Sequence, residues 1–115
     1  MEAIDVEKIK KEFVEIASKH LLYTLNGDYK NANKLQTKFL KIYNKVNKFH
    51  RQGLFEDLLN HDNEGVRLWA ATASLKTNPE VAVSCLNKLI SLPSITSMDA
   101  KMTLDLWEKG ELELL

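Results

Sequence analysis

Apolar residues in the first half of the chain recur at helical rather than strand spacing. Ile9, Phe13, Ile16, Ala17, His20 and Leu21 define one face, and Glu2, Asp5 and Glu7 lie near its start, where carboxylates favour the helix dipole. The spacing predicts a helix over roughly residues 3–24. Asn26-Gly27 interrupts it, Gly27 offering a position for positive φ, and Asp28 is placed as an N-cap directly after the turn. A second helix is expected over Tyr29 to His50. Its stripe, Ala32, Leu35, Phe39, Ile42, Val46 and Phe49, advances in steps of three and four. Such a narrow seam serves an intramolecular hairpin or a short coiled coil, and the short turn favours the hairpin.

Gln52-Gly53 is expected to end the second helix, and shorter amphipathic segments come after it. Leu54, Phe55, Leu58 and Leu59 predict a short helix, and Asp62 or Asn63 is positioned to cap the next. That next helix carries Val66, Trp69, Ala70, Ala73 and Leu75, with small side chains that admit close neighbours. Asn78-Pro79 reads as an N-cap followed by proline at the first helical position, where the missing N–H costs nothing. Leu86, Leu89 and Ile90 form the face of this helix. After Leu92-Pro93-Ser94 a last helix is expected from near Ser97, carrying Ala100, Leu104 and Trp107 and stopping at Gly110. No window alternates apolar and polar residues between hairpin turns, so the fold class is all-α, with about six helices.

The last four segments contain a weak repeat. Phe55-Leu58-Leu59 superposes on Leu86-Leu89-Ile90 at an offset of 31, and Val66-Ala70-Ala73 on Ala100-Leu104-Trp107 at an offset of 34. Two such pairs predict a small HEAT-like stack over 54–115, although HEAT units are usually longer. The long hairpin over 1–53 would then cap one open end of a single domain.

Val66-Arg67-Leu68-Trp69-Ala70-Ala71, following the Asp62-Asn63-Glu64 turn, looks like the core of a HEAT unit. Taken with Asp28-Tyr29-Lys30-x-Ala32-Asn33-Lys34 and the terminal Asp99-Ala100-x-x-x-Leu104-x-x-Trp107-x-x-Gly110-x-Leu112, it resembles the short bacterial family known as domain of unknown function 2019. The likeness spans nearly the whole chain. It implies a HEAT-like helical fold without established catalytic residues. Members of such small helical families occur as immunity proteins beside contact-dependent or other polymorphic toxins.

Composition adds little for 115 residues: 44% hydrophobic and 28% charged is an ordinary globular balance for one domain. One cysteine, Cys85, excludes an intramolecular disulfide framework and points to a reducing compartment, with cytoplasm the expectation. The charged N-terminus and the lack of long apolar runs predict neither a signal nor a membrane segment. Formal net charge is zero, but residues 1–53 hold 11 Lys/Arg against 6 Asp/Glu and residues 54–115 hold 5 against 10. The halves are therefore of opposite sign.

Chemistry-bearing motifs are scarce. There is no His-Glu-x-x-His, no phosphate loop and no nucleophile elbow. His20, His50 and His61 read as packing or surface residues, and Cys85 as a buried cysteine without a basic cluster nearby in sequence. Trp69 and Trp107 read as packing residues, and Arg67 as a structural arginine pairing with an acid on a neighbouring turn. No enzyme activity, cofactor or metal is expected.

Function is therefore sought in electrostatics. Glu56, Asp57, Asp62, Glu64, Asp99, Asp105 and Glu108 supply an acidic surplus that stacked helices could gather on one face, suited to steering and occluding a basic nuclease toxin. The alternative ligand is nucleic acid, held by Lys34, Lys38, Lys41, Lys45 and Lys48, although only two of the 16 basic residues are arginine. A protein-interaction scaffold is the third possibility. Both charged rows also read as solvated faces, the lysine stems covering the rim of the seam.

Overall fold

The computed structural model describes residues 5–51 and 53–112. Among these the chain is all-helical: α1 (Val6–Leu25), α2 (Tyr29–Lys48), α3 (Gly53–Glu56), α4 (Glu64–Ser74), α5 (Pro79–Ile90) and α6 (Ile95–Glu108).

The first hairpin forms as its turn chemistry predicts. The Asp5 carboxylate accepts from the Lys8 N–H at 3.1 Å and starts α1. Gly27, at φ +74°, lets its own N–H reach the Thr24 carbonyl and the Asp28 N–H reach Tyr23, closing the helix by a 5→2 and a 6→1 bond. Asp28 then caps α2 through the Asn31 N–H at 3.3 Å and also receives the Asn31 side-chain amide at 2.7 Å. One residue thus ends one helix and begins the next, and α1 packs along α2. The α2 seam is buried at Ala32, Leu35, Phe39, Ile42 and Val46.

The end of α2 differs from expectation. The helix stops at Lys48, and His50 takes φ +54° so that its N–H bonds Asn47 and the Arg51 N–H bonds Val46. A histidine therefore occupies the left-handed position that glycine usually fills. Gly53, expected as the terminator, instead opens α3.

In the second half α4 is central, packing on α1, α3, α5 and α6. Asn63 is its cap, accepting from the N–H groups of Gly65 at 2.8 Å and Val66 at 3.2 Å. His61 supports that turn by accepting the Asn63 N–H on Nδ1 at 3.0 Å. Ala70, Ala71 and Ala73 are buried, so the small residues do admit neighbours. Gly65 comes closest: a Cβ there would meet the Ala17 carbonyl oxygen and Leu21 Cβ at 3.0 Å, which fixes α1 against the start of α4. Phe13 joins Phe39 (5.7 Å between ring centroids) to Phe55 (5.4 Å), and Trp69 meets Phe39 at 4.3 Å, so aromatic rings weld the hairpin to the stack.

The two expected helix pairs are unequal. The first pair opens on a single turn, α3, with Leu54, Phe55, Leu58 and Leu59 nevertheless buried, whereas the matching α5 runs twelve residues. Asn78 precedes Pro79 at the start of α5 but makes no side-chain cap bond; its amide donates to Glu56 across the α3–α5 gap at 3.2 Å. The last helix begins at Ile95, ahead of Ser97; Ser94 is extended at the N-cap position but makes no side-chain cap bond. It closes at Gly110, φ +71°, with the Glu111 N–H on Leu106.

Candidate protein interface

A helix side that no neighbouring helix covers is normally polar. α6 departs from that rule. Ala100 is buried inward and Leu104 and Trp107 pack part-buried on the core, while Met98 is 71% and Met102 58% exposed. With Ile90 at the end of α5 they line a groove along α6 whose polar members are Lys101, Asp105 and Glu108. Methionine is flexible and polarisable, and adapts to the shape of a docking partner. Sequence reasoning overlooked these two residues. The available signal was an apolar pair four apart, opposite the Ala100–Leu104–Trp107 stripe on the helical wheel.

The acidic residues do not gather on one face. Asp57 is engaged by Lys10 at 2.8 Å, a hydrogen bond that holds the lysine ammonium above its ordinary value. Glu56 receives Asn78, Glu64 receives the Thr96 hydroxyl at 2.8 Å, and Asp62 lies exposed in the turn before α4. Asp105 pairs with Lys109 at 3.1 Å and shares the α6 groove with Glu108. Asp99 points elsewhere, half-buried beside a cavity that also receives His20. Of the seven acids, only Asp105 and Glu108 stand on the methionine groove.

The lysines behave differently. Lys34, Lys38, Lys41, Lys45 and Lys48 are all exposed, within an arc of about 80° on the α2 surface. Among the described residues none forms an ion pair.

Cys85 is buried, its thiol directed at the Leu59 and Arg67 carbonyls, each at 3.8 Å. Folding does bring Arg67 and Lys88 near it, basic neighbours invisible in the local sequence, but burial outweighs them and pushes the thiol pKa up. It is thus a poor nucleophile. Arg67 makes no ion pair among the described residues, and its Nε is buried without a partner, contrary to the expected acid on a neighbouring turn. Trp69 and Trp107 are part-buried against the core. Among the described residues no group of three His, Cys, Asp or Glu side chains is placed to hold a metal ion. None of their helices is long and apolar enough to cross a membrane.

No family model matches the chain, and no curated protein matches it. Its fold is similar to the crystal structure of the protein RPA1889 from Rhodopseudomonas palustris CGA009, with a TM-score of 0.85 over 96% of this chain and 93% of that one, at 21% identity. At that identity the likeness establishes the fold, and function must be argued from this chain's own surfaces.

Proposed function

We propose that this chain is a non-catalytic protein-binding domain of the immunity type, acting in the cytoplasm by docking on a cognate toxin and occluding its active cleft. The observation that carries the binding half is the exposed Met98–Met102 pair on α6, with Asp105 and Glu108 on the same groove. An apolar centre with charged flanks is the composition of a protein interface. Asp105 is already paired with Lys109 and Lys101 lines the same groove, so Glu108 is the carboxylate left to meet a basic partner such as a nuclease domain. The toxin half rests on the resemblance to small helical families found beside polymorphic toxins. Growth rescue tests this reading: co-expression should protect cells from the toxic C-terminal region encoded beside this gene. Protection should be lost with Met98→Asp and Met102→Asp together, the fold being checked by circular dichroism.

A second reading draws on the unpaired lysine row of α2, which fits nucleic-acid phosphates. It requires binding that weakens steeply with salt and is abolished by Lys38→Glu with Lys45→Glu.

A further inference from the structure

The seam between the hairpin and the stack is not completely filled. α1, α2, α4 and α6 leave a cavity of about 260 Å³, walled mainly by Phe39, Leu40, Leu68, Trp69 and Leu112, with the exposed Met102 also lining it. Two polar groups on this cavity lack partners among the described residues. The half-buried Asp99 carboxylate accepts no hydrogen bond and forms no ion pair, and the His20 ring, packed edge-on to Trp69 at 4.9 Å, makes no hydrogen bond. Both groups are only half-buried, and an apolar cavity that holds a carboxylate and an imidazole without protein partners has the composition of a ligand site.

We propose that this cavity binds a small arylalkylamine, its ammonium on Asp99 and its ring among the apolar walls. Size sets the scale: the volume lies just below that of drug-sized pockets and accommodates on the order of ten heavy atoms. Charge sets the sign. Asp99 is the carboxylate of the cavity, and its one charge neighbour, His20, is itself held toward the neutral form by burial. A cationic head supplies the missing countercharge, and the aromatic walls of Trp69 and Phe39 favour it further. A carboxylate ligand would meet Asp99 as a like charge.

Tyramine is the probe, titrated into the full-length protein while the two indole N–H signals are followed by NMR. We expect saturable movement of the Trp69 signal, at least tenfold weaker binding in Asp99→Asn, and no binding of 4-hydroxyphenylacetate, which keeps the ring and hydroxyl but reverses the charge. Absence of any Trp69 shift with millimolar tyramine overturns the proposal. So does equal binding of the acid to the unaltered protein, a comparison that needs no variant. Neither result bears on docking at the methionine groove.

Discussion

The Thr96 hydroxyl donates to the Glu64 carboxylate at 2.8 Å, joining the first turn of α6 to the first turn of α4 across 32 residues of sequence. Thr96 is 1% exposed and Glu64 partly buried, so the bond is partly shielded from water and ties α6 to α4. Thr96→Val keeps the shape and removes the donor. A hydrogen bond to a charged acceptor contributes about 1.5–3 kcal/mol, and a loss of that order is expected in urea unfolding, whereas an unchanged midpoint would mean that the two helices are held by packing alone.

His50 sits at φ +54° without the freedom of glycine. The left-handed region costs a side-chain-bearing residue about 1–2 kcal/mol, part of which glycine returns through its greater unfolded-state entropy. His50→Gly is therefore expected to stabilise the chain by about 0.5–1 kcal/mol, read as a rise in the thermal midpoint.

Gly65 behaves in the opposite way. Its added Cβ would press on the Ala17 carbonyl and Leu21 at 3.0 Å, and a backbone oxygen cannot swing aside. Gly65→Ala should cost about 1–2 kcal/mol by overpacking, despite the better helix propensity of alanine. A gain in stability would show that α1 shifts freely against α4.

Burial lowers the His20 pKa below its usual 6.5, with Asp99 pulling weakly the other way. The folded state then binds fewer protons than the unfolded chain. Stability is full above 6.5 and is lost as pH falls from there through the lower folded value. Asp99, whose pKa burial raises, acts in the opposite sense at lower pH, its ionisation weakening the fold as pH rises through its folded value. Urea midpoints should therefore drop between pH 7.5 and pH 5.5, and the drop should shrink in His20→Gln.

Local chemistry was legible in the sequence wherever one residue decides one backbone bond. Gly27 and Asp28, Asn63, and Gly110 announced their turns and caps, and the three-four stripe of α2 announced its buried face. Three kinds of feature escaped. His50 carries no turn signature, so its left-handed backbone is imposed by the Asn47 and Val46 carbonyls waiting at the helix end. Asn78 reads as a cap, yet its amide is drawn to Glu56, 22 residues away. The acidic surplus was a correct count but not a surface, because Asp57, Glu64 and Asp105 are each engaged by a different partner. Charge totals carry no information about direction. The methionine groove was hidden for a related reason: Met98 and Met102 look like spare core residues until the packing of α6 leaves them exposed.

The central claim is that the methionine groove of α6 is the surface that meets a protein toxin. Its most direct test is calorimetric titration of this protein with the C-terminal region of the gene product encoded beside it. The titration is repeated for Met98→Asp with Met102→Asp and for Lys38→Glu with Lys45→Glu. The account predicts a tight one-to-one complex, weakened at least a hundredfold by the methionine pair, a loss of about 2.7 kcal/mol or more, and unchanged by the lysine pair. No complex, or one that the lysine pair abolishes and the methionine pair leaves intact, would contradict it.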